Sequence, residues 1–461
     1  METDLKNKPY FVLTVVGGGT LLSAMAGSMI NLALPDLGRD LGISIEDSRL
    51  VVQSFLLVVG AFLLVAGRLG DLIGHRQVYL LGFFVFGTAS LFCGLVESYT
   101  WLIAFRVLQG VGGAMVMASG PALLTLSFPV KQRGRALGML ATATYVGLTV
   151  GPTLGGLIVS ALGWRWTFFV YVPTSLTVIG LGFWLLPRKK TIRDQTRFDW
   201  SGTFSLLVGL PFLLLALTEF QHWGVLSWQS WLLAAIGGSG LAAFVIIQRR
   251  STSPLLDLDL FHSRIFSGAA VSAVANYTAL SAVMILIPFY LEEGLGKQPS
   301  EAGMFLSVQP VLMAISASPS GWLSDRIGSR ILAVLGMVIM AVGLFGLSEL
   351  GPDCCNAGVI LWLGLIGLGT GIFISPNSNA LMGAAPRNQQ GAAGAVLAES
   401  RVLGMFLGVA IATTIYETLG GRTGKIWRPQ DFFAMDVAFK VAAVIACLGA
   451  VASGLRGAKK D

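Results

Sequence analysis

Glu399 is the one acidic residue, among 24 in a chain of 461, that falls deep inside a long apolar run; the others lie in polar segments or at the ends of runs. It stands about eight residues, or roughly 12 Å along a helix, from the nearer end of its run. Burial disfavours the ionised form of a carboxyl group, which suits an acid that must take up and release a proton near neutrality. The alternative is a structural carboxylate paired with a buried cation. Two arginines share the setting. Arg106 stands about seven residues, or roughly 10 Å, inside another run. Arg401 follows Glu399 by two positions, about 200° around a helix, on the face of Gly394, Gly404 and Gly408. A charge at such depth is costly unless it faces protein or water; Arg106 read structurally would cap buried carbonyls. Asn31, Gln53, Gln109, Asn276, Tyr277, Gln309 and Arg401 are candidate binding groups within otherwise apolar runs. A few polar contacts on an apolar wall suit an amphipathic or lipophilic organic molecule.

Other chemistries find no support. The three histidines (His75, His222, His262) are far apart, and Cys93, Cys354, Cys355 and Cys447 show neither metal-ligand spacing nor a disulfide framework. No nucleotide-binding loop is present, so no cofactor and no metal are expected. A membrane enzyme would need clustered carboxylates, histidines or cysteines near an interface.

The elements that must position these residues follow from composition. Hydrophobic residues make up 54% of the chain and charged ones 12%, with mean hydropathy +0.75. Soluble chains carry roughly 25% charged residues, so the surroundings are a lipid bilayer. The net charge of +7 reads as membrane topology and not as nucleic-acid binding. A bilayer core needs about 20 apolar residues per helix, and the chain supplies fourteen such runs: approximately 11–34, 48–67, 78–96, 101–123, 137–160, 167–186, 201–219, 229–247, 265–291, 301–322, 331–349, 358–381, 391–417 and 434–454. They are apolar throughout, unlike the alternating strands of a barrel. The first run is too long for the core of a signal peptide and is read as a retained span. With the N-terminus inside, the inner segments carry about 21 Lys and Arg, including Lys131, Arg133, Arg135, Arg188, Lys189, Lys190, Arg193 and Arg197. The outer segments carry about 7, among them Arg422, Lys425 and Arg428. That asymmetry puts both termini in the cytoplasm.

The chain repeats itself. Residues 67–76 (GRLGDLIGHR) and 321–330 (GWLSDRIGSR) share G-x-L-x-D-x-I-G-x-R, and 110–121 (GVGGAMVMASGP) corresponds to 367–376 (GLGTGIFISP). The offset of about 255 residues exceeds the length of six spans, so two further helices sit between two six-helix copies. The expected organisation is a first bundle over 1–190, a linker with two inserted helices over 191–255 and a second bundle over 256–461. Two such halves related by an axis along the membrane normal place a site between them.

The repeated loop has a physical reading. Gly67 and Gly74 permit a tight turn, Asp71 can accept hydrogen bonds from a helix N-terminus, and Arg76 can pair with it; Asp325 and Arg330 are the second copy. In the fifth run, Gly147, Gly151 and Gly155 share one helical face open to close approach, with Pro152 and Gly156 beside them. These residues resemble the major facilitator superfamily over almost the whole length, and within it the fourteen-span drug:proton antiporter branch. Gly147 to Gly156 match its antiporter motif G-x-x-x-G-P-x-x-G-G. Arg106, Gln109 and Gly110 match R-x-x-Q-G, and Asn31 to Pro35, Asp199 to Gly202, and Arg401 with Gly404 and Gly408 match further signatures. The resemblance implies a cytoplasmic latch at Gly67, Asp71, Gly74, Arg76, Asp325 and Arg330, and proton coupling at Arg106, here paired in role with Glu399. It departs at Ala26, where many members carry an aspartate linked to cationic drugs or protons.

The reading is an all-α integral membrane protein with 14 spans. It is expected to be a monomer in the cell membrane, exporting lipophilic organic compounds against protons, with the proton gradient as its only drive. The alternatives are a symporter or uniporter taking up a metabolite and, further off, a membrane enzyme or a receptor scaffold. Epitope tags at Gln195 and at the C-terminus should be reached by antibody from the cytoplasmic side, and a tag at Gly424 only from outside. Outside labelling at Gln195 would overturn the span count.

Overall fold

The computed structural model describes residues 2–43, 45–187, 198–223, 227–251, 253–352, 354–419 and 428–456, with side chains throughout except at 2–8, 28, 31, 32, 35, 45–49, 220–223, 299 and 300. The Asn31 side chain and the basic segment 188–197 lie outside the described residues. Inside a bilayer the backbone must satisfy its own hydrogen bonds, and fourteen helices are long and apolar enough to cross one. In order they are α1 (Glu2–Leu41), α2 (Ile45–Ile73), α3 (His75–Leu95), α4 (Tyr99–Ser127), α5 (Arg133–Leu162), the sixth crossing formed by α6 (Trp166–Phe169) with α7 (Tyr171–Leu185), α8 (Trp200–Trp223), α9 (Trp228–Arg250), α10 (Arg264–Phe289), α11 (Pro299–Ile327), α12 (Ser329–Ser348), α13 (Asn356–Ala384), α14 (Gln390–Thr418) and α15 (Pro429–Gly454). All regular structure among the described residues is helical.

The repeat becomes an architecture. In the first half α1 packs on α5, α2 on α4, and α3 on α4 and α7; in the second α10 packs on α14, α11 on α13, and α12 on α13 and α15. Matching α1–α5 and α7 in order with α10–α15 reproduces every one of these pairs. In lipid, apolar side chains gain little by leaving their solvent, so close packing of small residues holds helices together. Gly82 of α3 lies against the Gly112 carbonyl of α4, and Gly336 of α12 against Gly369 of α13; a β-carbon on Gly82 or Gly369 would come within 3.0 or 2.6 Å of the opposing carbonyl oxygen.

The inserted helices form one hairpin. Gly209 and Gly240 bring the α8 and α9 backbones together, leaving 2.6 Å for a β-carbon at Gly240. At its base Asp199, buried, accepts hydrogen bonds from Gly202 N at 2.8 Å and Gln248 Nε2 at 2.9 Å, while Gln248 Oε1 accepts from Leu256 N at 3.2 Å. The aspartate thus caps α8 and ties it to α9. Through α8 the hairpin rests on α2 and α14, beside the line where the halves meet.

The face of the bundle carrying both chain ends (the terminal face) holds the two halves together. Asp71, at the end of α2, accepts from the backbone N–H of Gly391 at 2.8 Å and Ala392 at 3.0 Å, in the first turn of α14. Asp325, at the end of α11, does the same to Gly134 at 2.8 Å and Arg135 at 2.9 Å in the first turn of α5. Each carboxylate thereby satisfies N–H groups that have no partner inside the helix and faces the positive end of its dipole. The glycines explain the approach. Gly67 lies against the carbonyl of Gly391, and Gly321 against that of Gly134, leaving no room for a β-carbon at any of the four. Gly74 and Gly328, the second glycines of the repeated motif, have φ of 105° and 88°, a left-handed backbone that turns the chain directly into α3 and α12.

One partner differs from expectation. The side chain on the Asp71 carboxylate is His75, Nε2 at 3.2 Å, with both groups buried. Arg76 instead reaches the Phe183 carbonyl at 3.1 Å and lies over that ring, because from the second residue of α3 its side chain faces α7. Arg330 is exposed at the start of α12. At the opposite face, Asp40 at the end of α1 is held by Trp164 Nε1 at 3.0 Å and by Arg165, whose guanidinium lowers the Asp40 carboxyl below its ordinary range.

Asp71→Asn keeps an acceptor but removes the charge, which should weaken the α2–α14 seam by about 1–2 kcal/mol. In a background without the native cysteines, Ala395→Cys, buried beside Gly67, should then react with a water-soluble maleimide about tenfold faster. Asp325→Asn, without a histidine partner, should have the smaller effect. An unchanged rate in Asp71→Asn would reduce the motif to a surface turn.

Candidate functional site

Helix α14 enters the core of the molecule between the halves and carries two ionisable residues, Glu399 and Arg401, on different sides. Glu399 faces α2 and α8: a β-carbon placed on Gly60 would lie 3.8 Å from Glu399 Oε1 and 3.4 Å from Leu214. The residue is 7% exposed, and neither carboxylate oxygen has a hydrogen-bond partner among the described residues. Arg401, two positions on, faces α4, α5 and α10. Its Nη2 lies 3.6 Å from Met117 Sδ, and Tyr145 of α5 and Tyr277 of α10 lie within reach of its charge. The α14 backbone reaches this position because Gly404 lies against Tyr277 and the Val274 carbonyl, and Gly408 against the Thr278 carbonyl. The face of glycines around Arg401 is therefore a packing face, toward α10 at Gly404 and Gly408 and toward α4 at Gly394.

Arg106 belongs to a separate network inside the first half. Its Nε donates to the Val51 carbonyl at 2.7 Å and Nη1 to Gln109 Oε1 at 2.5 Å, and Gln109 Nε2 donates in turn to Ser90 Oγ at 2.6 Å. The guanidinium lies over the rings of Phe55 and Phe168, at 4.7 and 5.9 Å from their centroids. At 3% exposure it is enclosed by α2, α3 and α4. The structure does not bring Arg106 and Glu399 together: the arginine's donors turn to Val51 and Gln109, while the acid turns to Gly60.

The remaining candidates divide. Tyr277 and Arg401 are partly exposed where the halves meet. Asn276 faces the other way, fully buried in the second half with Nδ2 toward the sulfurs of Met337 and Met340 at 3.4 and 3.1 Å. Gln309 is buried where Gly367 of α13 crosses its backbone, its Nε2 without a partner among the described residues. Gln53 is half-buried. On α5, Gly147 lies against Leu21 and Ala24, and Gly155 against Met29, so the face of Gly147, Gly151 and Gly155 receives α1; Pro152 lies within the continuous helix, and Gly156 is half-buried beside it.

Five participants escape the sequence reading: His75, Met117, Gly134, Tyr145 and Gly391. For the glycines a signal exists, since Q-x-G-x-A stands at 132–136 and again at 389–393, at the spacing of the other repeats. Tyr145 and Met117 have no such mark; they are an aromatic and a thioether within apolar runs.

Residue-level contacts between the halves run from Asp71 to Val402 along α2 and α14, from Asp325 to Tyr145 along α11 and α5, and through Gly394 and Arg401 of α14 against Ala118 and Met117 of α4. Both aspartate seams start at the terminal face. On the second seam Thr142 Oγ1 donates to the Ala314 carbonyl at 3.0 Å and pairs with Ser318 Oγ at 2.8 Å.

The sequence profile described as the Major Facilitator Superfamily matches residues 16–271 and 269–458. The riboflavin transporter RibZ of Clostridioides difficile is 30% identical over 410 residues, covering 88% of each chain. The tetracenomycin C resistance and export protein of Streptomyces glaucescens is 30% identical over 428 residues, covering 92% of this chain and 78% of that protein. The crystal structure of the human organic anion transporter MFSD10 (TETRAN) has the same fold, with a TM-score of 0.70 at 14% identity over 96% of this chain and 99% of that one. With two matched six-helix halves and a profile that spans both, the chain belongs to the major facilitator superfamily and is a membrane transporter.

Proposed function

We propose that this transporter exports lipophilic or amphipathic organic compounds in exchange for protons, by alternating access of a site between its halves. The observation that carries the reading is Glu399: a buried carboxyl group without a hydrogen-bond partner among the described residues, lying where α14 meets α2 and α8. An ion there has nothing to replace its lost hydration, whereas the neutral acid is tolerated. Opening this seam would expose the acid to water and let it ionise, so protonation and closure favour each other. The basic loops of the terminal face make it cytoplasmic. The contacts described then form a state sealed toward the cytoplasm, in which Glu399 carries the proton it has taken up from outside. The chain needs no cofactor in this scheme and works as a monomer in the cell membrane.

Export, in preference to uptake, is supported by the full glycine–proline motif of α5 on α1 and by the similarity to a tetracenomycin C export protein. The riboflavin transporter, equally similar, favours a second reading in which a metabolite is carried. The sign of flux under an imposed proton gradient separates the two.

Glu399→Gln mimics the protonated acid in shape and hydrogen bonding but cannot release a proton. In proteoliposomes it should abolish accumulation against a gradient while sparing downhill counterflow of the same compound. Accumulation by the glutamine variant at the wild-type level would remove Glu399 from the mechanism. Arg106→Lys tests the other network: a point ammonium cannot serve Val51 O and Gln109 together as the planar guanidinium does. It should destabilise the purified protein by about 1–3 kcal/mol as well as slowing flux. Slowed flux at unchanged stability would assign Arg106 a direct part in coupling.

A further inference from the structure

We infer that the compounds carried are organic anions, an apolar or aromatic body ending in a carboxylate, sulfonate or similar group, and that Arg401 with Tyr145 and Tyr277 receives the charged end. This rests on the transport reading above and adds the class of substrate.

Arg401 is eleven positions from the start of α14, about 16 Å along the helix and so near the middle of the membrane. A cation at that depth requires a partner or water. Its recorded hydrogen-bond partner among the described residues is the Met117 sulfur, a weak acceptor at 3.6 Å. No described carboxylate lies within ion-pair distance of it. The nearest acid in sequence, Glu399, turns to Gly60 and Leu214 on a different side of α14. Arg106 does not compete for an anion, because Val51, Gln109 and two aromatic rings already enclose it. A positive charge without a balancing negative one is thus built into the middle of the molecule and left partly exposed.

What surrounds it is suited to the rest of such a ligand. Met117 comes from α4 and Tyr145 from α5, while Tyr277 comes from α10 and Arg401 from α14. Both halves therefore contribute, and a molecule held there is gripped by surfaces that move apart when the halves rock. The guanidinium offers a planar fork that matches a carboxylate or sulfonate. The two tyrosines add hydroxyl donors and aromatic faces, and the methionine an adaptable apolar wall. A lipophilic cation would meet Arg401 with no carboxylate to offset the repulsion, so the site selects against it. Substrate and proton also occupy different sides of one helix, so the anion does not consume the proton that drives its exit.

The test uses three ligands of one shape: 4-(1-pyrenyl)butyrate, its primary amide, and the corresponding butylammonium. Binding to the full-length protein in neutral detergent is read by energy transfer from tryptophan to pyrene. The carboxylate should bind about tenfold more tightly than either of the others. Arg401→Gln should erase that preference while still binding the amide, and Arg401→Lys should keep part of it. Equal affinities, a preference for the ammonium, no binding of the carboxylate, or an unchanged preference in Arg401→Gln would each overturn the proposal. If the glutamine variant does not fold, the comparison of the three ligands on the wild-type protein decides alone. The export reading fails separately, if the carboxylate binds as stated but a proton gradient does not drive it uphill in proteoliposomes.

Discussion

Two aspartates hold the halves of this protein together, and each does so by capping a helix that belongs to the other half. Asp71 ends α2 and caps α14; Asp325 ends α11 and caps α5. A carboxylate facing two unpaired backbone N–H groups makes short, charge-assisted bonds, yet it competes with water at the membrane surface. Such a contact is strong enough to define a closed state and weak enough to be exchanged for hydration. Gly67 against Gly391 and Gly321 against Gly134 bring backbone to backbone beneath each cap, so the closed seam is a discrete packing and not a graded approach.

The proposed acid and binding groups lie along those two seams. The α2–α14 seam continues from Asp71 to Glu399, so the helix whose N-terminus is capped is the one that carries the buried acid. The second seam continues from Asp325 through Thr142 to Tyr145, which meets Tyr277 beside Arg401. Latch and interior thus lie on the same helices, about three turns apart. Under the proposed mechanism, a change in the charge of Glu399 or in the occupancy of the Arg401 site would reach the caps through rigid helical backbone. The inserted hairpin rests on α2 and α14, and Leu214 of α8 reaches the vicinity of Glu399.

Much of this was legible in the sequence because the bilayer leaves few choices. Apolar runs of about twenty residues must be helices, and a repeated G-x-L-x-D-x-I-G-x-R between them marks a duplicated unit. The glycine face of α5 was readable as a packing surface, and α1 is what packs there. What the sequence conceals is partnership across distance. Asp71 and Gly391 are 320 residues apart, and no local pattern states that one caps the other. Arg106 resembles a coupling residue by its motif, but its donors are taken by a carbonyl 55 residues away and by Gln109. Asn276 is a polar residue in an apolar run that looks like a cavity group, and it is bonded to methionine sulfur inside the second half. Helical phase alone does not say which of several neighbours a buried side chain meets.

The central claim is that the charge of Glu399 and the closure of the α2–α14 seam are one equilibrium. Spin labels on Ile73, at the end of α2, and Arg387, just before α14, would report that seam directly by pulsed electron resonance in lipid nanodiscs. Because the seam tolerates only the neutral acid, the distance distribution should be short and narrow at low pH and gain a longer component as pH rises. Glu399→Gln should stay short across the range. A distribution independent of pH, or a glutamine variant that opens with pH as the wild type does, would contradict the account.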